Sequence, residues 1–229
     1  NVGVIIVVHK LNLGDPDKIN KLAKFITWLR DIGIRDGRLN PAFNSPNELR
    51  WDELLAGYIS LYEIMPPDVS YTPYSDISRL LMGRKDVTCW FGSCGLYDTY
   101  VWTVLPSGQI TACDRTMWVE KQLPIKGYNY MDITNSKIRK IALMQTELKD
   151  STAVHLHGGG CPAESPDGDF RRPSRFWKTW DGLFEYFNII LKKHMPFIKT
   201  TLDVDRWEYV EKEDICQWNP FNGEWICPQ

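Results

Sequence analysis

The chain has 229 residues, a formal net charge of −2, and 43% hydrophobic and 24% charged residues. The near-neutral charge argues against a nucleic-acid partner, and no apolar run reaches the roughly 20 residues that span a bilayer. We expect no membrane partner, and we expect a cytoplasmic location. A chain of this length forms a core without covalent crosslinks, so its six cysteines call for a chemical role.

The N-terminal part alternates strand and helix signals. Val2–Val8 is an apolar run of strand length, and its β-branched residues are typical of a strand buried on both faces of a parallel sheet. Asp15 and Pro16 mark the start of an amphipathic helix, and Gly33 marks its end. A second short strand around Leu39 completes a βαβ unit. Because the sequence opens directly in a strand of this kind, we expect further residues to precede it.

The rest of the chain has helix and hairpin signals. Ser45 and Glu48 have the spacing of a capping box and predict a helix that Pro66 ends. A hairpin is predicted where residues 97–105 and 110–113 flank a Pro-Ser-Gly-Gln turn. Further helices are predicted over residues 76–82, 136–148 and 176–195. These patterns divide the chain into an α/β part over residues 1–70, a cysteine-bearing part over 71–199 and a tail over 200–229.

The cysteine-bearing part contains four of the six cysteines, Cys89, Cys94, Cys113 and Cys161. Cys161 follows three glycines, which let backbone N–H groups approach a bulky inorganic centre. Four thiolates can hold zinc or an iron–sulfur cluster, whereas two disulfides or four buried thiols fit the same count. Only one pair of cysteines is close in the sequence, and this favours iron–sulfur over zinc.

Other polar residues have a functional and a structural interpretation. His9 follows the first strand, where active-site residues of βα barrels lie, although a structural role is the alternative. His155 and His157 alternate as on a strand and either bind a metal or form a polar edge. We expect Cys216 and Cys227, which lie among aromatic residues, to be free thiols, with a disulfide or peptide binding as the alternatives.

Three segments together resemble a known domain. The Gly108-x4-Cys113 stretch, the loop Gly-Gly-Gly-Cys161-Pro-Ala-Glu and the segment Arg-Arg-Pro-Ser-Arg175-Phe resemble the SPASM domain. This domain is the C-terminal extension of radical S-adenosylmethionine (SAM) enzymes that modify peptides and proteins, such as anaerobic sulfatase maturases. Residues 2–41 are similar to the later strands of their barrel. The resemblance implies an α/β fold, in which the last βα units of a partial radical SAM barrel precede a SPASM-like domain with a β-hairpin and helices.

The resemblance also implies site residues. It places one auxiliary [4Fe–4S] cluster on Cys89, Cys94, Cys113 and Cys161. The positions that match a second auxiliary cluster are Leu148, Ser151, His157 and a residue near Trp177, so we expect that cluster to be absent. Asp114 takes the place of a proposed catalytic base, with a turn or capping role as the alternative. Val4, Leu39 and Asn40 lie where the family binds SAM, and Asn40 is the best side-chain candidate, with a capping role as the alternative.

The implied activity is an oxidoreductase reaction that modifies a peptide or protein substrate. In the family, a cluster on a Cys-x3-Cys-x2-Cys motif reductively cleaves SAM, and the resulting radical abstracts hydrogen from the substrate. That motif is absent from this sequence, so we expect it in a preceding N-terminal part. Flavodoxin or ferredoxin would supply electrons. The alternatives are a non-catalytic module that binds a peptide or protein around a structural metal site, and a disulfide-bonded extracellular domain.

Overall fold

The structure, a computed structural model, describes residues 2–85, 87, 103–104, 110–111, 136–166 and 172–228. These residues form a mixed α/β fold with a parallel sheet near the N-terminus and mostly helices after it. Among the described helices, none combines the length and the apolar character that crossing a lipid bilayer requires.

Three parallel strands form the N-terminal sheet, in the order β1, β2, β3. Strand β1 (Gly3–Val8) pairs along its whole length with β2 (Asp36–Pro41), and β2 pairs with β3 (Ser70–Thr72). Parallel neighbours need long crossover connections, and helices provide them here. The predicted βαβ unit is therefore confirmed, and the structure adds a third strand to it.

The crossover helices begin and end mostly where local signals place them. Helices α1 (Lys10–Leu13) and α2 (Pro16–Asp31) connect β1 to β2. The Asp15 carboxylate accepts a hydrogen bond from the Lys18 backbone N–H at 3.0 Å, as an N-cap does. Beyond the end of α2, Gly33 has a φ of +91°, the left-handed conformation in which many helices end.

Helix α3 (Trp51–Ile64) connects β2 to β3 and begins later than the Ser45–Glu48 motif predicts. The Glu48 carboxylate accepts from the Asn44 backbone N–H at 2.7 Å and closes the preceding loop instead of capping a helix. At the observed start, the Glu53 carboxylate accepts from the Arg50 backbone N–H at 2.9 Å. The predicted start is therefore wrong, because Glu48 has a different partner.

Only one face of β1 is buried among the described residues. Val8 is 1% exposed and packs with Leu39 against the crossover helices, whereas Ile5 is 66% and Val7 51% exposed. Successive side chains of a strand point to opposite faces, so the helices cover one face and leave the other open. The expectation of burial on both faces is therefore wrong for the part of the chain that the structure describes.

The remaining elements are helices and two short hairpins. Strands β4 (Thr103–Val104) and β5 (Ile110–Thr111) pair antiparallel and confirm the predicted hairpin at its described residues. The other elements are α4 (Tyr74–Leu81), α5 (Ser136–Gln145), α6 (Val154–His157), α7 (Trp177–His194), α8 (Arg206–Lys212), β6 (Gln217–Asn219) and β7 (Glu224–Ile226).

Helix α7 joins the cysteine-bearing part to the α/β part. The Thr179 hydroxyl donates to the Trp51 carbonyl at 2.8 Å, at the start of α3. A Cβ on Gly182 would lie 2.5 Å from a Leu55 methyl group, so the two helices approach closely at this glycine. Trp180 is fully buried in the same hydrophobic cluster as the sheet. One core therefore supports both parts.

Candidate site at the Cys161 loop and the carboxyl edge of the sheet

Three consecutive glycines lead to Cys161 in left-handed backbone conformations. The φ angles of Gly158, Gly159 and Gly160 are +54°, +79° and +75°, where side chains with a Cβ are disfavoured. Space is also restricted, because a Cβ on Gly160 would lie 2.8 Å from Nε1 of Trp180. The glycines therefore bring the chain to a buried position for Cys161, which is 4% exposed.

The backbone N–H groups of these glycines are already used within the loop. Gly158 N–H donates to the Val154 carbonyl and Gly160 N–H to the His157 carbonyl, both at 2.8 Å. Gly159 N–H donates to Nδ1 of His157 at 3.0 Å. These three N–H groups therefore have partners within the loop, and the glycines shape the backbone that leads to Cys161.

A buried guanidinium fixes the loop from α5. Arg139 is 5% exposed, and its Nη1 donates to the carbonyls of Gly158 and Gly160, at 2.5 and 2.8 Å. Its Nη2 donates to the Arg172 carbonyl at 3.0 Å. Buried carbonyls need partners, and the planar guanidinium binds three carbonyls at once, of which those of Gly158 and Gly160 are buried. The sequence contains no signal for this role, since a cation in a helix usually faces solvent.

A buried hydrogen-bonded cluster, formed by Ser151, His157 and Asp181, precedes the loop. Because Nδ1 of His157 accepts from Gly159, the neutral ring carries its proton on Nε2, which donates to Asp181 Oδ1 at 2.9 Å. The Ser151 hydroxyl donates to the same oxygen at 2.8 Å. A catalytic triad places serine and aspartate on opposite ring nitrogens. Here Ser151 Oγ lies 3.4 Å from Nε2, the same ring nitrogen that contacts Asp181, so the cluster anchors the loop rather than activating a nucleophile.

The electrostatics of the cluster keep Asp181 ionised. Burial by itself raises the pKa of this carboxyl, but hydrogen bonds from His157 and Ser151 outweigh burial and hold the pKa below its usual range. The Ala153 backbone N–H also donates to Asp181, at 3.1 Å. No local sequence signal indicates the role of Asp181, because its partners precede it by 24 to 30 residues.

His155 makes contacts separate from those of His157. Its Nε2 lies 3.3 Å from the Thr201 carbonyl, and its ring packs edge-on against Tyr209. Burial lowers the pKa of His155 to about 4, so the ring is neutral at physiological pH. Both histidines lie in helix α6 and are buried, which corrects the expectation of a polar strand edge. Within the described ranges, no group of three or more His, Cys, Asp or Glu side chains is arranged to hold a metal.

Arg175 connects the turn that follows Cys161 to the loop that follows β2. Its Nε donates to the Glu164 carbonyl at 3.2 Å. On the other side, Nη1 lies 3.2 Å from Oε1 of Glu48, and Nη2 donates to Oδ1 of Asn44 at 3.0 Å. The loop of Asn44 and Glu48 leaves the carboxyl end of β2. Arg175 therefore holds the Cys161 loop beside the carboxyl edge of the parallel sheet.

The residues predicted to contact SAM do not share one face of the sheet. Asn40 lies beside Val7 on the open face near the carboxyl edge, and its Oδ1 is buried without a hydrogen-bond partner among the described residues. Leu39 is fully buried toward the helices, and half-buried Val4 lies on that same face. Of the three residues, Asn40 is thus the one whose side chain can contact a ligand on the open face. His9 caps α1, since its Nδ1 accepts from the Leu11 backbone N–H at 3.1 Å.

Several predicted site residues lie outside the described residues, namely Cys89, Cys94, Cys113 and Asp114. Of the four cysteines expected to bind the cluster, Cys161 is the one that lies within the described residues. Of the positions matched to a second cluster, Leu148 is in the core, Ser151 and His157 belong to the cluster with Asp181, and Trp177 begins α7.

Cys216 and Cys227 form a disulfide with Cα atoms 4.2 Å apart. The expectation of free thiols is wrong, because β6 and β7 pair with Gln217 opposite Ile226 and so bring the flanking cysteines together. The Asn-Gly dipeptide between the two strands is a hairpin signal that could have predicted this pairing.

Comparison with known proteins gives no matching family model, no matching curated protein and no matching solved structure. The functional argument therefore depends on the residues and geometry of this chain.

Proposed function

We propose that this chain is the C-terminal portion of a radical SAM/SPASM enzyme that modifies a peptide or protein substrate. Its one auxiliary [4Fe–4S] cluster would be held by Cys89, Cys94, Cys113 and Cys161. The observation that supports this most is the Arg175 link between the Cys161 turn and the carboxyl edge of a parallel βα sheet. Parallel βα barrels have their active sites at that edge.

The surroundings of Cys161 fit a thiolate ligand. The residue is buried, and the Arg139 guanidinium binds the carbonyl of Gly160, the residue directly before Cys161. A nearby cation favours the thiolate form that binds metals. When bound, an iron–sulfur cluster supplies one-electron chemistry at a potential that burial and hydrogen bonding to its sulfurs determine.

The other residues of the site would position Cys161 and bind the cofactor and substrate. Arg139 and the three glycines hold Cys161, while Arg175 keeps its loop at the sheet edge. The Asn40 amide oxygen, buried without a partner among the described residues, would accept a hydrogen bond from a molecule bound on the open face, and SAM is our proposal for it. Asp114 would be the base that deprotonates the substrate residue.

Anaerobic purification of the chain, followed by iron, sulfide and zinc analysis, tests this proposal. We expect a brown protein with about four iron and four sulfide per chain. A colourless protein that contains about one zinc, or no metal, would contradict the cluster. Mixing the protein with reduced flavodoxin or ferredoxin then tests electron transfer. We expect the cluster to be reduced and its visible absorption to change.

A non-catalytic, disulfide-bonded binding module is the second candidate function, and the Cys216–Cys227 disulfide favours it. Disulfides are typical of oxidising compartments, so this bond weighs against the expected cytoplasmic location, which stays a prediction. Mass measurement with and without reductant separates the candidates, because each bridge changes the mass by about two units. One bridge agrees with the cluster proposal, whereas three bridges would use all six cysteines and exclude it.

A further inference from the structure

A cavity of about 540 Å³ lies between the end of α3, strand β3 and the first turns of α4. It does not include the Cys161 loop. Four aromatic residues line it, namely the half-buried Tyr62 and the buried Tyr71, Tyr74 and Phe187. Among its described lining residues, Glu63 is the one with a charged side chain. A volume of this size is within the range of small-ligand sites.

The aromatic wall is held in place by ring contacts. The Tyr62 ring centroid lies 4.6 Å from that of Phe187 and 5.2 Å from that of Tyr74. The Tyr74 hydroxyl donates to the Tyr58 carbonyl at 2.8 Å, which fixes that ring further. Tyr62 is half-buried and so has surface left for a ligand. The rings are therefore preorganised, which reduces the entropy lost on binding.

The electrostatics at this end of α3 favour a cation. Glu63 lies in the last turn of α3, and that turn has no basic residue. The carboxyl end of a helix has a partial negative charge, which adds to the charge of Glu63. The nearby Arg30 and Arg35 interact with Asp68 and not with Glu63.

One oxygen of Glu63 is in use and the other is available. The Tyr186 hydroxyl donates to Oε1 at 3.1 Å, which orients the carboxylate. Burial and this contact raise the pKa of Tyr186 to about 12, so the phenol keeps its proton at neutral pH. Oε2 accepts no hydrogen bond from the described residues and can bind a ligand.

We propose that this cavity binds an alkylammonium group, such as the one at the end of a lysine side chain. Tyrosine faces attract a cation through their ring quadrupole, and Glu63 supplies the counter-charge. The aromatic and prolyl walls, which include Pro66 and Pro67, would pack against the methylene groups of the ligand. This inference does not depend on the iron–sulfur proposal, because the cavity and the Cys161 loop share no residue.

Titration with small probes, followed by NMR of the Met65 methyl group, tests the proposal. Met65 lines the cavity, and a Met65→Leu variant identifies its resonance. The probes are Nα-acetyl-lysine amide, whose side-chain ammonium is free, n-butylammonium and the neutral Nα-acetyl-norleucine amide. We expect the two cations to shift the Met65 signal saturably at concentrations where the norleucine compound does not. Tighter binding of the lysine compound assigns the cavity to a polypeptide side chain, whereas equal binding of both cations assigns it to a small amine.

Two cavity variants and one control complete the test. Glu63→Gln and Tyr62→Leu should each weaken binding of the cations by about three- to tenfold, since a single cation–π or charge contact has this magnitude. Glu211→Gln removes the same charge from an exposed position on α8 and should leave binding unchanged. Equal binding of the lysine and norleucine compounds, or equal weakening by Glu63→Gln and Glu211→Gln, would overturn the proposal.

Discussion

The Cys161 loop and the Cys216–Cys227 hairpin hold cysteines in opposite ways. Cys161 is buried in a loop that Arg139 and Arg175 fix through contacts distant in the sequence. Cys216 and Cys227 flank two paired strands that are close together in the sequence, and Cys227 is exposed. Local strand pairing is therefore enough to form the disulfide, whereas the buried position of Cys161 depends on support from several elements.

Removal of the Arg139 side chain, which supports the Cys161 loop from a distant helix, should have the largest effect on stability. We expect Arg139→Met to lower the free energy of unfolding by about 3–5 kcal/mol, because three carbonyls, two of them buried, lose their donor. Urea unfolding followed by circular dichroism measures this loss. Arg35→Met, at a site whose side chain is 62% exposed, is the matched control and should change stability by less than about 0.5 kcal/mol. Equal losses in the two variants would contradict the role of Arg139.

Substitution of a glycine in the Cys161 loop should have the next largest effect on stability. Gly160→Ala must both adopt a positive φ and displace Trp180 or Ser174, so we expect it to lower the free energy of unfolding by about 2–4 kcal/mol.

Gly33→Ala provides the comparison for that variant, because Gly33 also has a positive φ but no atom within 4 Å of an added Cβ. It should lower the free energy of unfolding by only about 1–2 kcal/mol, which is the cost of placing an alanine at a positive φ without any steric clash. The difference between the two alanine variants, measured by the same urea unfolding, reports the crowding at Gly160, and no difference would show that the loop is not tightly packed.

Removal of the disulfide should have a moderate effect confined to the hairpin. A double substitution, Cys216→Ser with Cys227→Ser, opens a short loop, for which chain entropy predicts a loss of about 2–3 kcal/mol at most. Thermal unfolding of this variant and of the reduced wild type should give similar midpoints. A collapse of the whole fold would contradict the view that the hairpin is locally formed.

The smallest effect concerns pH and Asp181. Its folded pKa is lowered, so its contribution to stability is present above the unfolded pKa of about 4 and is lost as the pH falls below it. We expect Asp181→Asn to be less stable than wild type by about 1–2 kcal/mol at pH 7, and by less at pH 3. Urea unfolding at both pH values measures this. A pH-independent difference between Asp181→Asn and wild type would contradict the ionised cluster.

Local signals predicted much of the fold and little of the support for the site. The βαβ unit and the Asp15 cap depend on neighbouring residues, so the sequence contains their evidence. The predicted start of α3 was wrong because Glu48 closes the preceding loop and also binds Arg175, which is far away in the sequence. Arg139 and Asp181 were missed for the same reason, since their partners come together only when the chain folds.

Metal content of cysteine variants tests the central claim most directly. Iron and acid-labile sulfide are measured in anaerobically purified wild type, in Cys161→Ser and in the Cys216→Ser, Cys227→Ser double variant. Our account predicts about four iron per chain in wild type and in the double variant, and a large loss of iron in Cys161→Ser. Unchanged iron in Cys161→Ser, or a loss of iron only in the double variant, would contradict it.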